Sequence, residues 1–289
     1  MGGVSVPSWG GVGLSLVLVA LAAGLAYYQR LGVTRALLAA AGRAGVQLIA
    51  VGAVLLVLFR HGGLFGALGW VTLMVVVAGQ VAGHHGRGVP RSRLAASVGI
   101  AAGSGITLGA LIALGIVVPE PRVVIPVGGM IVLGALQATG LALQRVRDDA
   151  RQARPQIEAR LCLGLSAREA FLPYQRSALR TALLPAIDST KVVGLISLPG
   201  AMTGLILAGV DPLTAIRYQI VVMYMLLAAT ALAALASAWL AERALFDHAH
   251  RLVPLLDPPL DTRCDHGCHQ PSVATVVGFL SAAGRLPRR

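Results

Sequence analysis

Asp188 and Lys191 are the residues whose type and spacing point most directly to chemistry. They lie three apart, near the start of a run otherwise apolar enough to cross a bilayer. A charge inside lipid is costly and marks a transport pathway, a packing pair or a membrane boundary. On a helix, side chains three apart can meet. The pair therefore reads either as a structural ion pair at the helix entrance or as a gate or cargo contact. Pro199, in Pro199-Gly200, interrupts the same run and should kink it or open a turn. Gln47, Gln137 and Gln219 are amides inside other apolar runs, each an interhelical hydrogen-bonding group or a pathway lining. A different chemistry stands at Cys264, His266, Cys268 and His269, four thiol and imidazole groups within six residues. These are transition-metal ligands, although adjacent Cys268 and His269 are poorly spaced to chelate together, and a solvated tail is the competing reading.

Other chemistry is excluded. A phosphate-binding loop needs a glycine-rich stretch followed by Lys and then Ser or Thr. The single lysine is followed by Val192 and has no glycine closely before it. The sequence holds no HExxH or GxSxG pattern. The chain is expected not to be an enzyme and to bind no cofactor directly; if it serves ATP-driven transport, ATP would act through a separate partner subunit.

The elements that must position these residues are membrane helices. Of 289 residues, 56% are hydrophobic and 12% charged, about half the charge that a soluble domain carries. The apolar runs are continuous and reach the ~20 residues that a helix needs to cross a bilayer. The fold class read from this is all-α and polytopic. Seven spans are expected near residues 11–29, 36–58, 64–82, 94–118, 123–144, 183–208 and 214–241. Residues 1–245 form a transmembrane domain and 246–289 a cytoplasmic tail. Within the sixth span, Thr190, Gly194, Ser197, Ala201, Gly204 and Ala208 share one stripe at helical spacing, a seam for close helix approach.

Basic residues set the orientation. Of 23 Arg, 20 fall in alternate connections and the tail, and only Arg60, Arg122 and Arg217 fall on the other side. The N-terminus is thus expected outside and the C-terminus inside a cell membrane. The net charge of +12 suits an anionic inner leaflet, and no nucleic-acid partner is expected. Six of the seven His, and all three Cys, fall on the inferred inner side, where no structural disulfide is expected.

The long polar connection at 145–182 is cytoplasmic in this topology. Ile157, Leu161, Leu165 and Phe171 recur at roughly helical spacing, and Ser166 with Glu169 forms a capping-box pattern. Two short helices broken at Gly164-Leu165-Ser166 are expected, as a solvated linker or as a docking element for a soluble partner.

Glu158-Ala159-Arg160 followed by Gly164 resembles the EAA-x-x-x-G pattern in the coupling loop of ABC importer permeases. ALLPAIDSTKVVGLISLPGAMTGLILAGVDPLTAIRYQIVVMYML (182–226) is similar to the signature of the FetB family, also called YbbM. GRAGVQLIAVG (42–52) and VIPVGGMI (124–131) resemble that family at the matching places. The resemblance covers about 36–243. It implies the membrane permease subunit of an ABC transporter exporting iron or another metal. It also implies a homodimer and a separate ATPase docked through Glu158, Gly164, Ser166 and Glu169. In the fifth span the family often carries Asn where this chain has Gly134, and Gln137 lies one turn further on. The alternatives are an ABC permease for a small organic solute, such as a sugar nucleotide, and a membrane scaffold that transports nothing.

Overall fold

The computed structural model describes residues 9–30, 32, 34–61, 63–196, 198–247 and 251–255. The described elements are helical: α1 (Trp9–Tyr28), α2 (Thr34–His61), α3 (Gly63–His85), α4 (Ser92–Ala113), α5 (Pro121–Gln152), α6 (Arg154–Cys162), α7 (Ala167–Val192), α8 (Gly200–Leu207) and α9 (Pro212–Leu245). Five of them, α2, α3, α4, α5 and α9, are long and apolar enough to cross a membrane, and α1 contributes a shorter apolar helix. The protein is a multi-pass, all-helical membrane protein.

The described chain divides into two compact units near Leu56. The first contains α1 and most of α2. In the second, α5 and α9 pack together at the centre, with α4 against both. α3 lies on α4 and α5, and α7 lies on α5 and α9.

The α4–α9 seam is built from absent side chains. An added Cβ on Gly99 would stand 2.7 Å from the Ser237 Cβ, and one on Gly103 would stand 2.7 Å from the Ala233 nitrogen and 2.8 Å from the Ala229 carbonyl oxygen. Lipid is as apolar as Leu, so no hydrophobic force drives membrane helices together. Close backbone approach and dispersion take its place. Gly99 and Gly103 are one helical repeat apart, and Ala229, Ala233 and Ser237 match them at the same interval. This is a small-residue seam, and its GxxxG spacing is readable in the sequence at 99–103.

The stripe expected in the sixth span does not form. Helix α7 ends at Val192, Gly194 has φ +83°, Ser197 lies outside the described residues, and the next helix begins at Gly200. Thr190 and Ala201 therefore belong to different helices, and a constant angle per residue cannot be carried across the break. Pro199 is not inside a helix: it is the extended N-cap of α8, with φ −63° and ψ 147°. At about 1.5 Å per residue, the eight residues of α8 rise only ~12 Å and cannot cross a bilayer alone.

The start of the polar connection is a continuation of α5, whose 32 residues rise ~48 Å and outrun a hydrocarbon core of ~30 Å. The break at 163–166 falls where expected. Its second helix, however, is not short: α7 runs on for 26 residues through Pro173 and Pro185.

Candidate functional site

Helices α5, α7 and α9 line a partly open cavity of about 480 Å³. Each contributes one face at helical spacing: Gly134, Gln137 and Leu141 from α5, Pro185, Ser189 and Thr190 from α7, Met223, Leu226 and Thr230 from α9. The polar groups are neutral. The Ser189 and Thr190 hydroxyls both donate to the Ala186 carbonyl, at 2.9 and 2.8 Å. The Thr230 hydroxyl donates to the Leu226 carbonyl at 2.6 Å. With its proton committed to the helix backbone, each hydroxyl oxygen is left as an acceptor. Gln137 adds an amide that accepts and donates. The lining thus offers oxygen acceptors, one thioether and no carboxylate. Hard cations and hydrogen-bond donors favour oxygen, while Met223 is the one soft group.

Gly134 shapes this cavity. A Cβ there would stand 3.0 Å from the Thr230 hydroxyl oxygen. The missing side chain is the space in front of Thr230.

Asp188 and Lys191 do not line the cavity, although Ser189 and Thr190 between them do. They form an ion pair, Nζ to Oδ1 3.0 Å, with side chains 60% and 67% exposed. Gln219 is buried in α9, and its carbonyl oxygen has no hydrogen-bond partner among the described residues. Gln47 is exposed on α2, in the first unit. Cys264, His266, Cys268 and His269 lie outside the described residues. Among the described residues, no group of three or more His, Cys, Asp or Glu is placed to hold a metal ion.

A second assembly forms around α6. Glu158 pairs with Arg154 at 2.8 Å. Gly164 has φ +88°. Its N–H donates to the Leu161 carbonyl at 3.0 Å, and the Leu165 N–H donates to the Arg160 carbonyl at 3.3 Å. That pair of bonds is a Schellman ending, whose left-handed position favours glycine. The expected capping box then starts α7. The Glu169 N–H donates to Ser166 Oγ at 3.3 Å, and the Ser166 N–H and hydroxyl donate to Glu169 Oε2 at 3.0 and 2.7 Å. The Ser166 hydroxyl, and then its N–H, hold the Glu169 carboxyl below the usual glutamate range.

These caps fix the two helices in a tight corner, and side chains tie it to the membrane domain. Ile157 and Phe171 are fully buried. The Arg160 guanidinium lies 5.7 Å from the Tyr174 ring centre. Phe171 meets Phe246, just beyond α9, edge-on at 6.1 Å. Gln175 on α7 and Glu242 on α9 are both buried. At the outer tip of the corner, Leu163 is 80% exposed and Leu165 is also exposed.

Residues 9–246 match the sequence pattern described as "Uncharacterised protein family (UPF0014)". The chain belongs to the UPF0014 family. Several members are similar along most of their length. One is the "UPF0014 membrane protein STAR2" of Oryza sativa subsp. japonica, 42% identical over 81% of this chain and 82% of that protein. Another is the "Protein ALUMINUM SENSITIVE 3" of Arabidopsis thaliana, 39% identical over 82% of this chain and 87% of that one. A third is the "Probable iron export permease protein FetB" of Escherichia coli, 36% identical over 83% of this chain and 93% of that one. No solved structure matches the chain. The matched region of this UPF0014 protein contains both the three-helix cavity and the α6–α7 corner.

The sequence reading singled out Gln137 but did not bring Ser189 and Thr230 to it. The signal lay in register: Gly134–Gln137–Leu141 and Met223–Leu226–Thr230 each repeat at three and four residues. Nothing in either repeat names the other as its neighbour.

Proposed function

We propose that this chain is the permease subunit of an ATP-driven transporter exporting iron or another metal. It works as a homodimer with two copies of a separate ATPase subunit. The single observation that carries this reading is the α6–α7 corner. It is rigidly capped, tied to α7 and α9, and tipped by exposed Leu163 and Leu165. An exposed apolar tip on a polar connection suits a groove on a soluble partner. The similarity to a protein named an iron export permease supports the cargo.

The break between α7 and α8 supports the dimer. Non-helical backbone at membrane depth is tolerated only where protein covers it or where it lines a water-filled cavity. Leu195 and Ile196 in that break are 88% and 82% exposed on the single chain. A second copy facing α7 and α8 would cover them. It would also place Asp188 and Lys191 on a pathway between copies, where charge is tolerated. In this arrangement the corner and the arginine-rich connections face the cytoplasm, and ATP is hydrolysed by the partner.

The cavity lining supports a second reading. Neutral oxygen acceptors without a carboxylate also suit a small organic solute bearing hydroxyl or amine donors, carried by the same ATP-driven mechanism.

Transport measured in vesicles containing this chain and its cognate ATPase separates the readings. Iron should move only with ATP, and Gln137→Leu should reduce iron movement while the ATPase still assembles. ATP-dependent movement of a neutral solute with none of iron or other metals would overturn the metal reading. No stimulation of the ATPase by the permease would overturn the transporter reading altogether.

A further inference from the structure

A groove of about 610 Å³ lies between the start of α4 and the end of α9. Its mouth carries Arg91, Arg243 and Asp247, and its walls include Leu94, Val98 and Leu240. It is distinct from the three-helix cavity and shares no residue with it. The charged mouth lies on the arginine-rich side of the helices. The walls then run down α4 into the membrane-spanning length, where Leu94 and Val98 are exposed. A groove that is basic at one end and apolar along its length, and open sideways to lipid, has the chemistry of an amphiphile with an anionic head.

The charges narrow the head group further. Two guanidiniums and one carboxylate leave a net of about one positive charge. The N-terminus of α4 and the C-terminus of α9 both lie at the mouth, and their partial charges of roughly +0.5 and −0.5 offset each other. A single phosphodiester charge balances this better than a polyanion. Arg243 is also pre-positioned. Its guanidinium carbon lies 3.7 Å from the centre of the Trp239 ring. Stacking occupies the face of the guanidinium and leaves its in-plane N–H donors for a phosphate. Trp239 is partly exposed, and Trp is enriched at the level of lipid head groups. Basic pockets between membrane helices on the cytoplasmic side are a recurrent form of lipid head-group site.

We propose that this groove binds one anionic phospholipid, with its phosphodiester at Arg91 and Arg243 and an acyl chain along Leu94, Val98 and Leu240. The lipid would bridge α4 and α9 at the end of the helix pair that is otherwise joined by its glycine seam.

The test uses the full chain purified in detergent, with phosphatidylglycerol binding followed by native mass spectrometry. Phosphatidylcholine and inorganic phosphate serve as competitors. Each guanidinium near an anionic head group is worth roughly a fivefold change in affinity, so Arg91→Gln with Arg243→Gln should weaken binding by about 25-fold. Arg176→Gln with Arg180→Gln removes the same charge elsewhere and should bind as the wild type does. The two groove substitutions are also measured singly, each expected at about fivefold, so that misfolding of the double variant does not remove the test. The proposal is overturned if the groove variants bind phosphatidylglycerol like the wild type. It is also overturned if phosphatidylcholine binds equally well, or if inorganic phosphate displaces the lipid and shows that no acyl chain is required.

Discussion

Substitution of Gly164 separates docking from folding, because the structure makes the folding cost the same for different side chains. Gly164 has φ +88°, and a Cβ added there meets no atom within 4 Å. Ala and Arg therefore meet the same obstacle within the chain, the left-handed backbone, at a cost of ~1–2 kcal/mol. That is a factor of roughly 5–30 in the local equilibrium that keeps the corner closed. Asn tolerates this region better than other non-glycine residues and should fall between them and wild type. Only Arg adds bulk and charge beside the exposed Leu163 and Leu165. Thermal unfolding of the purified permease should shift equally for Gly164→Ala and Gly164→Arg. Stimulation of the cognate ATPase and recovery of the complex should fall modestly for Ala and be abolished for Arg. Equal loss of coupling in the two variants would show that the corner's geometry matters and contact at its tip does not. Full coupling in Gly164→Arg would remove the docking assignment.

Asp188→Asn should leave membrane abundance near wild type, since a pair this exposed contributes about 0–1 kcal/mol, and should reduce metal efflux. Reduced abundance that is restored by exchanging Asp188 and Lys191 would instead establish a structural pair. Gly103→Ala should destabilise the protein by roughly 1–3 kcal/mol, because its Cβ meets backbone that cannot rotate away. Gly105→Ala, two residues along with open space at its Cβ, should be close to neutral, and equal melting shifts for the two would refute the α4–α9 seam. The capping box should respond to acid. Because the Glu169 pKa is lowered in the folded chain, its stabilisation is complete above the unfolded glutamate value of about 4.3 and is lost as pH falls through the folded one. Corrected hydrogen-exchange protection in the first turn of α7 should weaken below about pH 4. Glu169→Gln should lack that pH dependence, and an unchanged acid profile in the variant would refute the assignment.

Much of this architecture is legible in the chain itself, because a bilayer permits few solutions. A run of ~20 apolar residues with no charge has to be a helix that satisfies its own backbone. Local chemistry is equally explicit: Ser166 and Glu169 announce the start of α7, and Gly164 the turn before it, through bonds that span only three to five residues. What the sequence could not decide was where apolar character stops meaning helix. Residues 183–208 are apolar enough, apart from Asp188 and Lys191, to read as one span, yet α7 ends at Val192 and α8 begins at Gly200. Hydropathy scores each residue's transfer to lipid and is blind to the backbone at Gly194. The cavity was out of reach for a related reason. Gln137, Ser189 and Thr230 each sit on a plausible helix face, but periodicity gives a face only an angle about its own axis. Which faces meet is settled by packing: Gly99 and Gly103 let α4 and α9 close together, and the absent side chain of Gly134 leaves space in front of Thr230.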